Sequence, residues 1–358
     1  MNLDRFKHLF RIRQHISIAN KIFLIQQLQI MIKAGVALTG TLRTMQLQSS
    51  NKKMADMLGD IAEKVEHGNT FADALRPHTE AFGELMVNMV AAGESSGRLE
   101  EVLGQLYIQI KKDHTIVSKV RGALIYPAVV VVAMLVIGTG MMIFVIPKLT
   151  VIFKESDVQL PIATKVLIAV SDFMAANALL LIPGVVALLA LFFWVIHREP
   201  GRKIWHWFLL KLPVAGPIIK KVNLARFSRT VSSFLHTDIP IVQTLLTTAS
   251  VLGNVHYKQA LIDASQQVTK GTTLSESMRA WPELFNPTII QMVAVGEQSG
   301  SLDDVLVEAA AFYEEDVEQT MTSLPQILEP ILMVVLGVAV GFMAVAVIMP
   351  LYKLAEAI

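Results

Sequence analysis

The chain has 358 residues, 53% of them hydrophobic and 17% charged, and its mean hydropathy is +0.52. Soluble domains carry roughly 25% charge, so part of this chain is expected in lipid. A net charge of +1 gives no case for a nucleic-acid partner, and the absence of cysteine excludes disulfides and thiolate metal sites.

Residues 1–15 read as a basic leader carrying Arg5, Lys7, Arg11 and Arg13, without the apolar core of a cleavable signal peptide. Such a leader favours retention in the cytosol, although a solvated segment with no role explains it equally well. Residues 16–122 read as a helical domain. Met54, Leu58, Ile61 and Val65 make an i, i+4, i+7, i+11 stripe, and Gly35 and Gly68 are expected helix stops. Core packing accounts for the stripe.

Residues 123–146 are the first expected span, long enough for roughly 30 Å of hydrocarbon. Residues 147–177 form a short loop, and 178–196 a second span. Residues 197–218 are a basic linker, 219–325 a second helical domain, 328–349 a third span and 350–358 a short tail. The apolar cores of the spans contain no ionisable residue, which argues against an ion pathway or proton relay.

Orientation follows the basic flanks. Lys111, Lys112, Lys119 and Arg121 precede the first span, and Arg198, Arg202, Lys203 and Lys211 follow the second. The first span therefore runs outward and the second returns, with the N-terminus and both large polar regions in the cytosol. The flank of the third span, Glu314, Glu315, Asp316 and Glu318, is acidic and points the other way.

The repeat decides that conflict. Asn-Met-Val-Ala-Ala-Gly-Glu-Ser-Ser-Gly-Arg-Leu from Asn88 recurs as Gln-Met-Val-Ala-Val-Gly-Glu-Gln-Ser-Gly-Ser-Leu from Gln291, at a constant offset of 203 positions. Gly68, Thr70, Pro127, Gly138 and Pro147 recur at the same offset as Gly271, Thr273, Pro330, Gly341 and Pro350. Each copy is a domain followed by an outward helix, and the extra second span returns the chain so that the copies lie parallel. The expected fold is an all-α polytopic membrane protein with two homologous cytoplasmic bundles of about six helices and three transmembrane helices.

Within the repeat, Gly93, Glu94 and Gly97, and their counterparts Gly296, Glu297 and Gly300, form a glycine-bounded turn between two helices. Glu100, Glu101, Asp303 and Asp304 suit the first turn of the following helix, and Ser301 with Asp304 resembles a capping box. Glu94 and Glu297 either anchor the turn through backbone N–H groups or meet a partner or cation. Lys220 and Lys221 open a basic segment, through Arg226 and Arg229, that could meet a cytoplasmic partner or anionic lipid. Pro127 and Pro330 are expected kinks in long helices entering the membrane. Gly337 and Gly341 form a Gly-x-x-x-Gly pair that permits close helix approach.

No P-loop, zinc-protease, nucleophile-elbow or dinucleotide signature is present, and the nine histidines lack ligand spacing. No catalytic residue, cofactor or metal is expected. A repeat-built secondary transporter and a membrane signalling scaffold remain as alternatives.

The segment Lys119-Val-Arg-Gly-Ala-Leu-Ile-Tyr-Pro127, with Pro147 twenty residues on, resembles the signature of the type II secretion F and type IV pilus platform proteins. So do the duplicated Gly-Glu-x-Ser-Gly-x-Leu at 93–99 and 296–302 and the order domain, span, span, domain, span. The resemblance covers residues 16–354. It implies a bacterial inner-membrane platform that is not an enzyme. It also implies partners: a hexameric cytoplasmic assembly ATPase, pilin or pseudopilin subunits, other inner-membrane assembly proteins, and further copies of the chain. Many members carry an additional N-terminal segment, so any contact made by that segment is not expected of these residues.

Overall fold

A computed structural model describes residues 16–155 and 161–356. The leader 1–15, residues 156–160 and the last two residues of the tail lie outside the described residues. All described elements are helical. They fall into two compact units. The larger takes the described residues up to Val117 together with His206–Val317, and the smaller takes Ser118–Trp205 with the described residues from Glu318 onward.

The larger unit holds both repeat copies. Copy one is built from α1 (Ile18–Lys33), α2 (Leu38–Gln48), α3 (Lys52–Glu66), α4 (Phe71–Leu75), the single turn α5 (Thr79–Phe82), α6 (Glu84–Ser95) and the start of α7 (Leu99–Gly140). After it come α8 (Ile146–Glu155), α9 (Ile162–Ala176), α10 (Ala178–His197) and α11 (Glu199–Lys211). Copy two is α12 (Ala215–Leu235), α13 (Ile241–Val251), α14 (Val255–Thr269), α15 (Leu274–Arg279), α16 (Pro287–Ser299) and α17 (Leu302–Glu356). Each of α2, α3, α4, α6 and α7 begins 203 positions before its counterpart, so the sequence repeat is a structural one.

The helix limits follow from local chemistry. Asn51 caps α3 by accepting from the N–H groups of Lys53 and Met54, and Asn254 caps α14 by accepting from His256. Such caps contribute about 1 kcal/mol each. Thr70 and Thr273 likewise accept from Asp73 and Glu276 to open α4 and α15. The α3 helix stops at Gly68, where the Gly68 N–H bonds to Val65 and Asn69 N–H to Lys64, the Schellman pattern. The same bonds recur at Gly271, to Val268, and Thr272, to Gln267.

The stripe Met54, Leu58 and Ile61 is buried with Leu28, Phe71, Leu75, Met86 and Leu103 in the core of copy one. Copy two centres on aromatic rings instead. Phe285 stands edge-on to Phe227 and Tyr257, at 5.7 and 5.6 Å, and the Tyr257 hydroxyl donates to the Leu284 carbonyl at 2.6 Å. Burial pushes the Tyr257 hydroxyl far above its ordinary pKa.

In the smaller unit, Val129, Leu135, Ile137, Val334, Leu336 and Val338 are among many apolar side chains left exposed, as a lipid-facing surface requires. The segment between the first two spans is not an open loop but carries α8 and α9. Helix α9 is fastened by two hydroxyls. Thr164 Oγ1 donates to the Ala346 carbonyl at 2.8 Å, and Ser171 Oγ to the Met142 carbonyl at 2.5 Å. Met142 sits in a five-residue π turn, Met141–Val145, that ends two residues before Pro147. A proline has no N–H and crowds the carbonyl four residues back, so the helix widens there.

Candidate functional site

Gly93 and Glu94, like Gly296 and Glu297, lie in the last helical turn of α6 and α16 rather than in a turn between helices. Among these glycines only Gly97 and Gly300 take the left-handed backbone that ends the helix. Gly97 has φ +71° and Gly300 φ +72°, left-handed values that exact a penalty from any residue with a Cβ. Gly93 and Gly296 serve close approach. A Cβ at Gly93 would stand 3.0 Å from Val102 Cβ, and one at Gly296 would stand 2.9 Å from Leu302 Cα.

Glu94 points back across the bundle to the start of α4. Its carboxylate accepts from the main-chain N–H of Phe71 and, at 2.8 Å, of Ala72. Glu297 repeats this with Leu274 and, at 3.1 Å, Ser275. In both copies one carboxylate satisfies two orphan amides at a helix N-terminus, where the macrodipole favours negative charge. The geometry is that of an anchor. The partner reading of these two carboxylates has no support in it.

Of the acids in the next turn, Glu101 and Asp303 face partners inside the chain. Arg98 bonds Asp238 at 2.7 Å and Glu101 at 3.2 Å, and His236 lies 3.7 Å from both Glu101 and Asp303. Asp238 occupies the position that Gly35 holds in copy one and has φ +58°. Ser301 pairs its hydroxyl with Ser299 at 2.7 Å.

The basic segment is where the structure departs most from expectation. Lys221 bonds Asp316 at 2.7 Å, Arg226 pairs with Asp113, and Arg229 bonds Glu314 at 2.8 Å. Lys112 of copy one reaches the other oxygen of Glu314 at 2.9 Å. A buried bond from Gln109 Nε2 to Thr230 Oγ1, 2.9 Å, continues the seam. Three of the four basic groups from Lys220 to Arg229 thus face α7 and α17 within the same unit. The same contacts engage part of the acidic flank of the third span. Glu314, Asp316 and Glu318 of that flank are matched by lysines and arginines, Glu318 by Lys119.

The membrane features fall outside these clusters. Helix α7 runs through Pro127 and α17 through Pro330 without interruption. A Cβ at Gly337 or Gly341 would meet nothing within 4 Å, so that face is open in the single chain. One element was not foreseen. The basic linker is helical, and α11 bends 95° away from the end of α10 at Arg198. Ile204, Trp207 and Phe208 are exposed on it, and Lys211 lies over the Trp207 ring at 4.1 Å. Exposed aromatics beside basic groups suit the headgroup layer. The run Trp205-His-Trp-Phe-Leu-Leu-Lys carried that signal.

Among the described residues no three His, Asp or Glu side chains gather as a metal-ligand set. Among the described residues, two helices are long and apolar enough to cross a membrane, Leu99–Val151 and Leu302–Pro350, or three if the bent pair Pro183–His197 and Glu199–Lys211 counts as one span.

The family model for type II secretion system protein F matches the chain twice, at residues 24–147 and 227–350. The chain is 35% identical to the type IV pilus assembly protein TapC of Aeromonas hydrophila over 92% of its length and 80% of that relative. It is 33% identical to PilC of Thermus thermophilus, another type IV pilus assembly protein, over 92% and 81%. With the type II secretion system protein F of Pseudomonas aeruginosa it shares 31% identity over 92% and 81%.

Proposed function

The chain belongs to the type II secretion system protein F family, and on that premise we propose that it is the inner-membrane platform of a type IV pilus or type II secretion machine. In this reading it catalyses nothing itself. A hexameric cytoplasmic assembly ATPase supplies the work, and the platform passes it to pilin or pseudopilin subunits leaving the bilayer.

The observation that carries the reading is a pair of helices with two memberships. Each of α7 and α17 begins as the last helix of a repeat copy and continues, unbroken, into a stretch apolar enough to cross the membrane. A rotation or tilt imposed on either bundle is then carried along a continuous rod. Three spans, a cytoplasmic N-terminus and parallel copies complete the proposal. Reporter fusions after Val117, Lys211 and Val317 test the topology. All three are expected on the cytoplasmic side, and an external signal from the last removes the parallel layout.

The partner is tested by purifying the full chain in detergent with the assembly ATPase of the same organism. Co-elution is expected. Lys220→Glu is the cleaner surface variant, because Lys221 is held by Asp316 and its reversal damages the fold. Separate elution of an intact ATPase hexamer and the wild-type chain overturns the coupling.

A further inference from the structure

We infer that α11 is a binding site for anionic phospholipid headgroups, lying in the bilayer surface where α10 leaves it. The inference rests on α10 crossing the membrane and is independent of the platform reading.

Helix α11 has two faces. One is held by protein. His206 Nδ1 accepts from the Val255 N–H at 3.1 Å, at the start of α14, and Trp205 stands edge-on to Phe192 at 5.3 Å. The other face carries Ile204, Trp207, Phe208 and Lys211, whose i, i+3, i+4, i+7 spacing makes one stripe along the helix. No residue of α11 is buried. Ile204 is 69% exposed, Trp207 46% and Phe208 47%. A contiguous apolar stripe left open in this way marks a contact surface.

Position and charge select the membrane as the occupant. Helix α11 leaves the end of α10 at 95°, so a helix crossing the bilayer is followed by one lying across its axis, in the plane of the surface. The elbow is tight, because a Cβ at Gly201 would run into the Val195 carbonyl. Residues 198–211 carry four basic side chains, Arg198, Arg202, Lys203 and Lys211, against one acid, Glu199. Two of the four stack on exposed indoles, Arg198 over Trp194 at 4.8 Å and Lys211 over Trp207 at 4.1 Å. Indole rings collect at the membrane–water boundary, and a cation lying on each ring reaches the phosphate level while its stem stays on apolar surface. The rings alone would serve a neutral bilayer. The cations beside them select an anionic one.

Depth is tested on the full chain in lipid nanodiscs, where the absence of cysteine allows one fluorophore at a time. A nitroxide on the lipid headgroup is expected to quench a label at Ile204→Cys, and a nitroxide deep in the acyl chain to quench one at Leu188→Cys in α10. An Ile204 label quenched only by aqueous iodide, or shielded from iodide and lipid alike by protein, overturns the inference. So does a Leu188 label untouched by the deep nitroxide.

Selectivity is read by native mass spectrometry of the detergent-purified chain, offered equal phosphatidylglycerol and phosphatidylcholine. Preferential retention of phosphatidylglycerol is expected. Arg198→Gln with Lys211→Gln should reduce that preference about fivefold for each charge removed, with unchanged helical content. Arg198→Lys with Lys211→Arg keeps both charges and should retain it. Equal retention of the two lipids, an unchanged preference in the glutamine variant, an equal loss in the charge-keeping one, or displacement of the lipid by inorganic phosphate at matched ionic strength each overturns the inference.

Discussion

Arg229 of copy two closes on one oxygen of Glu314 with two nitrogens, Nε at 2.9 Å and Nη2 at 2.8 Å. The other Glu314 oxygen is held by Lys112 of copy one. The two side chains are only 15% and 11% exposed, so the cluster ties the repeats together where water is largely excluded. Removing one partner strands a charge, whereas an apolar replacement of both does not.

Glu314→Ala is therefore expected to cost about 3–5 kcal/mol, read as a fall in thermal unfolding temperature of the detergent-solubilised chain. Arg229→Met combined with Glu314→Met should recover most of that loss. A double variant no better than the single one would show that the pair itself, not the stranded charge, dominates.

Glu94→Ala and Glu297→Ala each uncap two main-chain amides, at Phe71 and Ala72 or at Leu274 and Ser275. A loss of about 1–3 kcal/mol is expected for each. Amide exchange in the first turn of α4 or α15 should rise in the matching variant and stay unchanged in the other copy. Unaltered exchange at those amides contradicts the anchor role.

Gly296→Ala pushes a methyl against the Leu302 main chain at 2.9 Å, which cannot yield as a flexible side chain would. Overpacking of this kind costs about 1–3 kcal/mol. Gly271→Ala meets no neighbour and is strained only by its φ of +94°, so its loss should be the smaller, about 1 kcal/mol.

Asp60 carries a pH dependence. The hydrogen bond from Lys64 and then that from His78 hold its carboxyl below the ordinary carboxylate value. A depressed folded-state pKa adds stability above the unfolded value, near 3.9, and that stability is lost as pH falls through the folded value. Asp60→Asn should thus be less stable than wild type near neutrality, and the two curves should converge at a pH below the ordinary aspartate value. Parallel curves down to that pH exclude the assignment.

Ser171→Ala leaves the Met142 carbonyl of the π turn without its hydroxyl donor. Interhelical hydrogen bonds in membranes contribute about 0.6–1.7 kcal/mol. A melting shift of that order is expected, and Ser171→Thr should retain most of the stability.

The sequence alone determined the features that local pattern controls. The offset of 203 positions, the glycine stops at Gly35 and Gly68, the stripe from Met54 to Val65 and the charge-free spans all follow from periodicity, backbone freedom and length. Side chains three or four apart share a helix face whatever lies opposite, so these signals survive without a fold. What lies opposite is settled only in three dimensions. Lys221, Arg226 and Arg229 look like a free basic surface until α7 and α17 are brought against them, and Glu94 looks like a spare carboxylate until the α4 amides arrive. The right-angle bend at Arg198 and the helices in residues 147–177 were hidden for the same reason. The energy of a charge or a hydroxyl depends on which partner excludes water beside it, and that partner can stand over a hundred residues away, as Asp113 does from Arg226.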